Sequence, residues 1–255
     1  MWDIATRRMR ATLKGHKLAV YSVTFSPNGH SLVSASADES VRTWNIRDGS
    51  SKVLPVTGSP DHFMSVVFSP DGRYVAAGNR DNSLWIWDSR TYRLVATWRG
   101  HLGAVWCTEF TPDGKGLISG GTDKKVKYWD VSLLGYCQGA STGIVGNEQV
   151  IPEVGSFLGH NVRCVLHLSP DCDRESFVTQ DRVRCIALFP GKTQWIVSGS
   201  HDGSVRIWDT QSGVCQLTLV GHMAWVLCLD VSRTENFLAT SGEDGHVAVW
   251  RYKVL

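Results

Sequence analysis

Cysteine in metal-binding spacing is missing from this chain of 255 residues. Its seven cysteines (Cys107, Cys137, Cys164, Cys172, Cys185, Cys215 and Cys228) include no Cys-x-x-Cys pair, which removes the common structural zinc sites. Seven is also odd, and the reading is free thiols in a reducing compartment instead of a disulfide framework. No apolar run approaches the ~20 residues that span a bilayer, and the opening MWDIATRRMR holds no apolar core of a secretory signal. Charge is balanced too: Lys and Arg number 26 against 24 Asp and Glu, scattered along the chain, so no nucleic-acid surface and no membrane association are expected.

What the chain has in excess is tryptophan, and five of its eleven tryptophans are periodic. Asp is followed six positions later by Trp at Asp38/Trp44, Asp81/Trp87, Asp123/Trp129, Asp202/Trp208 and Asp244/Trp250. Around four of these pairs a Gly-His lies upstream, at Gly15-His16, Gly100-His101, Gly159-His160 and Gly221-His222, with a Ser or Thr four residues before the Asp. The separation is 28 residues from His16 to Trp44, from His101 to Trp129 and from His222 to Trp250. A period of about 40 residues with Gly-His near one end and Trp-Asp near the other resembles the WD40 repeat. The resemblance covers nearly the whole chain and implies an all-β fold, a β-propeller in which each repeat builds one four-stranded blade.

Local patterns agree. Val20 to Phe25, the turn SPNG and Ser31 to Ser34 read as a hairpin, and a second turn at Ala37-Asp38-Glu39 leads into a third strand ending at Trp44. Applied along the chain, this template starts inner strands near Val20, Phe63, Val105, Val183 and Val226, and the outer fourth strand follows each Trp. The chain then reads as one domain, 1–255, with repeats over 15–57, 58–99, 100–158, 159–220 and 221–255. Residues 1–14 read as the outer strand of an otherwise missing repeat, with Trp2-Asp3 as its remnant. The last repeat lacks a fourth strand, and Met9 to Lys14 (MRATLK) has the composition to supply it and so remove a sheet edge. Closure through that strand and an open arc are both left standing.

Each regular repeat brings together His, Ser or Thr, Asp and Trp: His16, Ser34, Asp38, Trp44; His101, Ser119, Asp123, Trp129; His160, Ser198, Asp202, Trp208; and His222, Thr240, Asp244, Trp250. Ser, His and Asp suggest a hydrolase, but an activated nucleophile occurs once and opens onto a pocket. In the family resembled, the indole N–H donates to the hydroxyl, the hydroxyl to the His and the His to the Asp, which locks each blade. No enzyme, cofactor or small-molecule substrate is expected. Gly191-Lys192-Thr193 matches only the end of a phosphate loop, since Ile186 stands where that motif needs Gly. The second repeat departs from the pattern, with Ser59 in the His slot, Ala77 in the Ser slot and His62 out of register. That blade is expected to lack the network, to rely on packing and to exchange its amides no more slowly than its neighbours.

The fourth repeat is too long, with 48 residues from His160 to Trp208. Excising Val162 through Gln180 restores the register, because Val183 then follows His160 as Val20 follows His16. Residues 162–180 therefore read as a non-homologous insertion that protrudes as a loop. Its in-frame length, and ends that intron boundary signals can encode, suggest a retained short intron, which a mature transcript carrying the segment would exclude. The rival reading makes Val162 to Asp171 the inner strand. Ser132 to Gly155, rich in Gly, Ser and Gln, reads as a solvated insertion.

The irregularities narrow the family. The opening WDIATRRMRATLKGHKLAVYS, a second repeat carrying YVAAGNRDNSLWIWDS without Gly-His, the long insert before EVGSFLGH and the end Val-Trp-Arg-Tyr-Lys are together similar to the C-terminal propeller of fungal Tup-type general transcriptional co-repressors, counterparts of animal Groucho. That resemblance implies a ring of seven blades, of which this chain supplies five, and hence an N-terminal truncation. It also implies a nuclear, non-enzymatic platform for proteins or short peptide segments, among them DNA-bound repressors and histones. The alternatives are a cytoplasmic location and a scaffold or substrate receptor of another complex such as a ubiquitin ligase. Contacts are expected where the inner strands begin, at Tyr21, Met64, Trp106, Arg184 and Leu227, second on each strand, with Arg80, Arg182, His201 and Trp225 beside them. Exposed aromatics and Arg are the types that anchor interfaces.

Overall fold

The computed structural model describes residues 2–3, 5–9, 11–132, 134, 177–179, 181–189, 195–210, 212–232 and 234–252. A short hairpin, β1 (Trp2–Asp3) with β2 (Arg8–Met9), precedes five antiparallel sheets. The first blade is β3 (Val20–Phe25), β4 (Ser31–Ser36), β5 (Val41–Asn45) and β6 (Ser51–Val53); the second is β7 (Phe63–Phe68), β8 (Tyr74–Asn79), β9 (Ser83–Asp88) and β10 (Leu94–Arg99). The third is β11 (Val105–Phe110), β12 (Gly116–Gly121), β13 (Lys125–Asp130) and β14 (Phe177–Val178). The fourth is β15 (Val183–Leu188), β16 (Trp195–Ser200), β17 (Ser204–Asp209) and β18 (Cys215–Val220), and the fifth has three strands, β19 (Val226–Val231), β20 (Phe237–Gly242) and β21 (Val247–Arg251). Inner strands start at the five residues the repeat sets, and each third strand runs one residue past its Trp.

Neighbouring blades meet through their inner strands, β3 on β7, β7 on β11, β11 on β15 and β15 on β19. The first residue of an inner strand enters a hollow in the blade before it. A Cβ on Gly78, Gly120 or Gly199 would come within 2.6, 2.5 and 2.6 Å of the side chains of Val105, Val183 and Val226, so the junction needs glycine where two sheets approach this closely. Small polar groups close the same seam: the Val66 N–H donates to Ser22 Oγ at 3.2 Å, and Ser65 Oγ lies 3.1 Å from Thr108 Oγ1.

The two end blades each leave one such face uncovered, so the blades form an open arc. Phe63 and Val105 are fully buried, whereas Val20, in the same position on the first blade, is 49% exposed, and Val23 and Phe25 are 59% exposed. At the other end Val247 and Val249 are 73% and 65% exposed, where their fourth-blade equivalents Val205 and Ile207 are buried. Of the two alternatives left standing, closure through Met9 to Lys14 is not formed. Met9 pairs with Trp2 in the short hairpin, and the fifth blade stays three-stranded. A partner a few residues away costs far less chain entropy than one at the far end of the molecule.

The interruption also differs from its sequence reading. The third blade takes its outer strand from Phe177–Val178, paired with Val126 and Lys125, so the segment read as foreign supplies part of a blade, and the boundary between 158 and 159 does not separate blades three and four. Residues 162–176 and 180 lie outside the described residues, as do 135–155 of the Gly-rich connection and Gly191-Lys192-Thr193. The signal was present in the sequence: SFVTQD at 176–181 echoes SFLGHN at 156–161. The stretch at Phe177–Val178 that pairs with β13 lies just before β15.

The second blade is the best covered of the five. Every residue of β7, β8 and β9 is buried, because inner strands β3 and β11 flank it on both sides. Amides of β8 are therefore expected to be among the slowest to exchange in the molecule, against the sequence expectation for a blade without the network; exchange read residue by residue checks this, and faster exchange in β8 than in the end strand β20 would contradict it.

Candidate functional site

Three of the four side-chain networks are complete. Trp44 Nε1 donates to Ser34 Oγ at 2.7 Å, His16 Nε2 lies 2.7 Å from the same hydroxyl, and His16 Nδ1 lies 2.9 Å from Asp38. The same chain runs Trp129, Ser119, His101, Asp123 at 2.8, 2.7 and 2.9 Å, and Trp250, Thr240, His222, Asp244 at 3.0, 2.9 and 3.1 Å. A hydroxyl that accepts from the indole gives its own proton to Nε2, so Nδ1 carries the proton donated to the carboxylate. Each Asp also accepts the N–H of the residue after the His, Lys17, Leu102 or Met223. Gly before the His has a steric cause: a Cβ on Gly100 would sit 2.1 Å from the Trp129 ring. With Ser119 fully buried and both its hydroxyl bonds committed, the constellation ties a turn to a strand and offers no nucleophile.

Electrostatics follow from this burial. Burial lowers the pKa of His101, outweighing the pull of Asp123. For Asp123 burial acts upward, but the bond from His101, its charge and the Leu102 and Lys125 amides hold the carboxyl below its usual range; Asp38 is likewise held well below that range against burial by Ser40, Lys17 and His16. On acidification the unfolded chain takes up protons first, His101 near 6.5 and Asp123 near 3.8, so both groups favour unfolding as pH falls. Stability is expected to be level between about pH 6.5 and 9, to decline below 6.5 and to drop again below 3.8; urea melts across that range check it, and a flat profile would contradict it. Burial also pushes the Cys107 thiol up to about 12 and Cys185 well above the thiol range, so neither is a reactive thiolate at neutral pH. The described cysteines Cys107, Cys185, Cys215 and Cys228 are free.

The second blade uses substitutes, and the fourth is described only in part. In the fourth, Trp208 Nε1 donates to Ser198 Oγ at 2.8 Å, while His160 lies outside the described residues. By the pairing of β13 with β14, Thr179 stands where Gly100 stands after β10. Asp202 is held by Arg206 Nη1 at 2.8 Å and by Ser204. In the second, Trp87 Nε1 turns to the Pro55 carbonyl at 2.7 Å, and Trp85 donates to Ser83, which donates to Asp81. Trp85 and Trp87 stack at 5.9 Å with Phe63 edge-on to both, and Ala77 is fully buried. Ser59 is exposed, and His62 is half-buried beside Tyr21.

The second surface lies at the starts of the inner strands. In all five blades the ladder between the first two strands skips the second inner residue, so Tyr21, Met64, Trp106, Arg184 and Leu227 are bulge residues. A bulge re-aims a side chain out of the pleat, which is why such positions suit contacts. One backbone bond also recurs beside it: the N–H after the second strand (Ala37, Arg80, Thr122, His201, Glu243) donates to the carbonyl before the inner strand (Ala19, His62, Ala104, Arg182, Trp225). These positions converge at blades three to five. The Arg184 guanidinium lies 4.1 Å from the Trp106 ring centroid, Trp106 is edge-on to His201 at 6.3 Å, and His201 stacks on Trp225 at 4.1 Å with 3° between planes. Burial lowers the pKa of His201 and of Arg184. Tyr21 (47%), Trp225 (44%) and Leu227 (40%) are exposed, as are Arg80, loosely paired with Asp61 at 3.8 Å, and Arg182. Met64 is the exception. It is buried, enclosed by the inner strands on either side of β7, and does not join the exposed surface.

The repeated blades and their networks are matched by the family described as WD domain, G-beta repeat, over residues 7–45, 51–88, 92–130, 174–209 and 213–251. The chain belongs to the WD40 repeat family. The fourth match begins at 174, inside the segment read as an insertion, in agreement with the outer strand at Phe177–Val178. Among WD40 proteins, the chain is 29% identical over 255 residues to nuclear distribution protein nudF 1 of Talaromyces marneffei, covering 98% of this chain and 52% of that protein. It is 37% identical over 62 residues to nuclear distribution protein PAC1 of Komagataella phaffii, 24% of this chain and 12% of that protein, and 32% identical over 71 residues to pre-mRNA-splicing factor PRP46 of Candida albicans, 28% and 18%. The chain thus spans about half the length of nudF 1. None of these names is that of a co-repressor, and the narrower resemblance to Tup-type proteins finds no support among them.

Proposed function

We propose that this WD40 chain is a non-catalytic platform for protein partners, and that its contact surface is the mouth formed by the inner-strand starts of blades three to five, extended by Tyr21. The observation that carries the reading is the row Arg184, Trp106, His201, Trp225, which crosses three blades. Bulges aim its first two members, and its last is exposed on an aromatic face. The networks are occupied in fixing turns to strands, which supports a binding role over a catalytic one. For the setting, the segments similar to Tup-type propellers favour a nuclear co-repressor with DNA-bound repressors and histones as partners. The nuclear distribution and splicing proteins among its relatives favour a scaffold in another assembly, cytoplasmic or nuclear.

One experiment addresses both levels. Tagged wild-type chain and a Tyr21→Ala, Trp106→Ala variant are recovered from the native cells. Wild type is expected to carry partners that the variant loses, at a melting temperature within a few degrees of wild type. Lost stability with retained partners would make these side chains core residues and sink the reading. Recovery of chromatin proteins would support the co-repressor setting, and their absence from an otherwise productive capture would reject it.

A further inference from the structure

The geometry points to a carboxylate receptor: we infer that Arg184, seated over Trp106, takes the side-chain carboxylate of an acidic residue in an extended peptide, while the adjoining aromatic or apolar residue lies on the Trp225 face. This rests on the platform reading and names the chemistry of its partner. Arg184 is half-buried at the bulge of β15, and no carboxylate or carbonyl among the described residues accepts a hydrogen bond from it. Cys107, Cys185, Cys228, Tyr21 and His201 lie near enough to interact with its charge. A guanidinium has five N–H donors in a planar fork. Held on an indole ring and already stripped of much of its water, it meets a carboxylate two bonds at a time with little further desolvation.

A second donor belongs to the same ring. The Trp106 indole N–H is buried and has no acceptor among the described residues, which in a native site asks for a partner. Beside it, Trp225 stacks on His201 and remains 44% exposed as a residue, which suits a flat or apolar neighbour of the acid. The charge of the visitor is bounded as well. Asp181 and Glu243 lie close enough to act on His201 alongside Arg182 and Arg184; two positive and two negative charges suit a single carboxylate better than a phosphate dianion.

A random twelve-residue peptide library displayed on phage and selected against the folded chain tests the inference. Asp or Glu is expected to recur at one place beside an aromatic or apolar residue. A synthetic peptide from that selection is expected to lose about tenfold in affinity or more when the acid becomes its amide. Arg184→Gln is expected to cost as much, with Arg184→Lys recovering part. Should Arg184→Gln lower the melting temperature, the acid-to-amide comparison on wild-type chain decides alone. Peptides without an acid whose binding still depends on Trp225 would overturn the carboxylate and leave the platform. Tighter binding with phosphoserine in place of the acid would also overturn it. Selected peptides that ignore Tyr21, Trp106 and Trp225 would remove both readings.

Discussion

Replacing Asp123 by Ala is expected to lower the unfolding free energy by about 3–5 kcal/mol, through several donors left unsatisfied at about 1–3 kcal/mol each. His101 has no exposed side-chain surface and Asp123 only 4%, so water cannot take over the lost acceptor. The substitution strands the His101 Nδ1–H and two backbone N–H groups, of Leu102 and Lys125, that now end on the carboxylate. It also loosens the orientation of Ser119, and through it the Trp129 indole. The matching test is Asp81→Ala in the second blade, where no His is involved, the side chain is 20% exposed and Arg99 approaches at 3.3 Å. There the expected loss is about 1 kcal/mol or less. Urea melts of the two variants side by side decide the matter, and equal losses would show that the His-linked network adds nothing to its blade.

Trp87→Ala is expected to be about as severe, again roughly 3–5 kcal/mol, for a different reason. Trp87 is fully buried in the second blade, stacked on Trp85, edge-on to Phe63 and bonded to the Pro55 carbonyl. Removing it opens a cavity between rings that cannot collapse together, since each is fixed by its own strand, and leaves the Pro55 carbonyl without its donor. Trp87→Phe keeps most of the volume and should cost only the hydrogen bond, about 1–3 kcal/mol. If Trp87→Ala cost under 2 kcal/mol, the second blade would not be held by packing.

The two effects show what could be read from residue order and what could not. The five Asp/Trp pairs place every inner strand, because turn and strand lengths are shared by all repeats. Where His, Ser and Asp stood at fixed separations, the bonds between them followed. The substitute in the second blade was hidden because its acceptor is a backbone carbonyl, Pro55, and no residue type marks an available carbonyl. Arg206 was hidden for a related reason: an Arg two residues before the repeat Trp also occurs as Arg42, which bonds Ser51 instead of the turn carboxylate. Strand composition in Met9 to Lys14 carried no information on which edge it would pair with, and the nearest edge won. At the mouth, the positions could be counted along the repeat, but whether Trp106 would meet His201 and Trp225 depends on how far each blade turns from the last. Met64 is buried for the same reason that Tyr21 is not, having a blade on each side.

The uncovered faces of the first and fifth blades bear on how the molecule comes apart. Five sheets joined in a row, each touching only the next, behave as a linear chain of coupled units in which stability resides as much in the links as in the units. Four links join the five blades, and the valines that fill glycine hollows at Gly78, Gly120 and Gly199 form three of them, between blades two and five. An interior blade is secured by two of them and a terminal blade by one, so melting advances inward from both extremities. The row that crosses blades three to five, ending at Trp225 in the fifth, is therefore half anchored in the interior and half carried on a fraying end. A ligand bridging Trp106 and Trp225 would act there as an additional link.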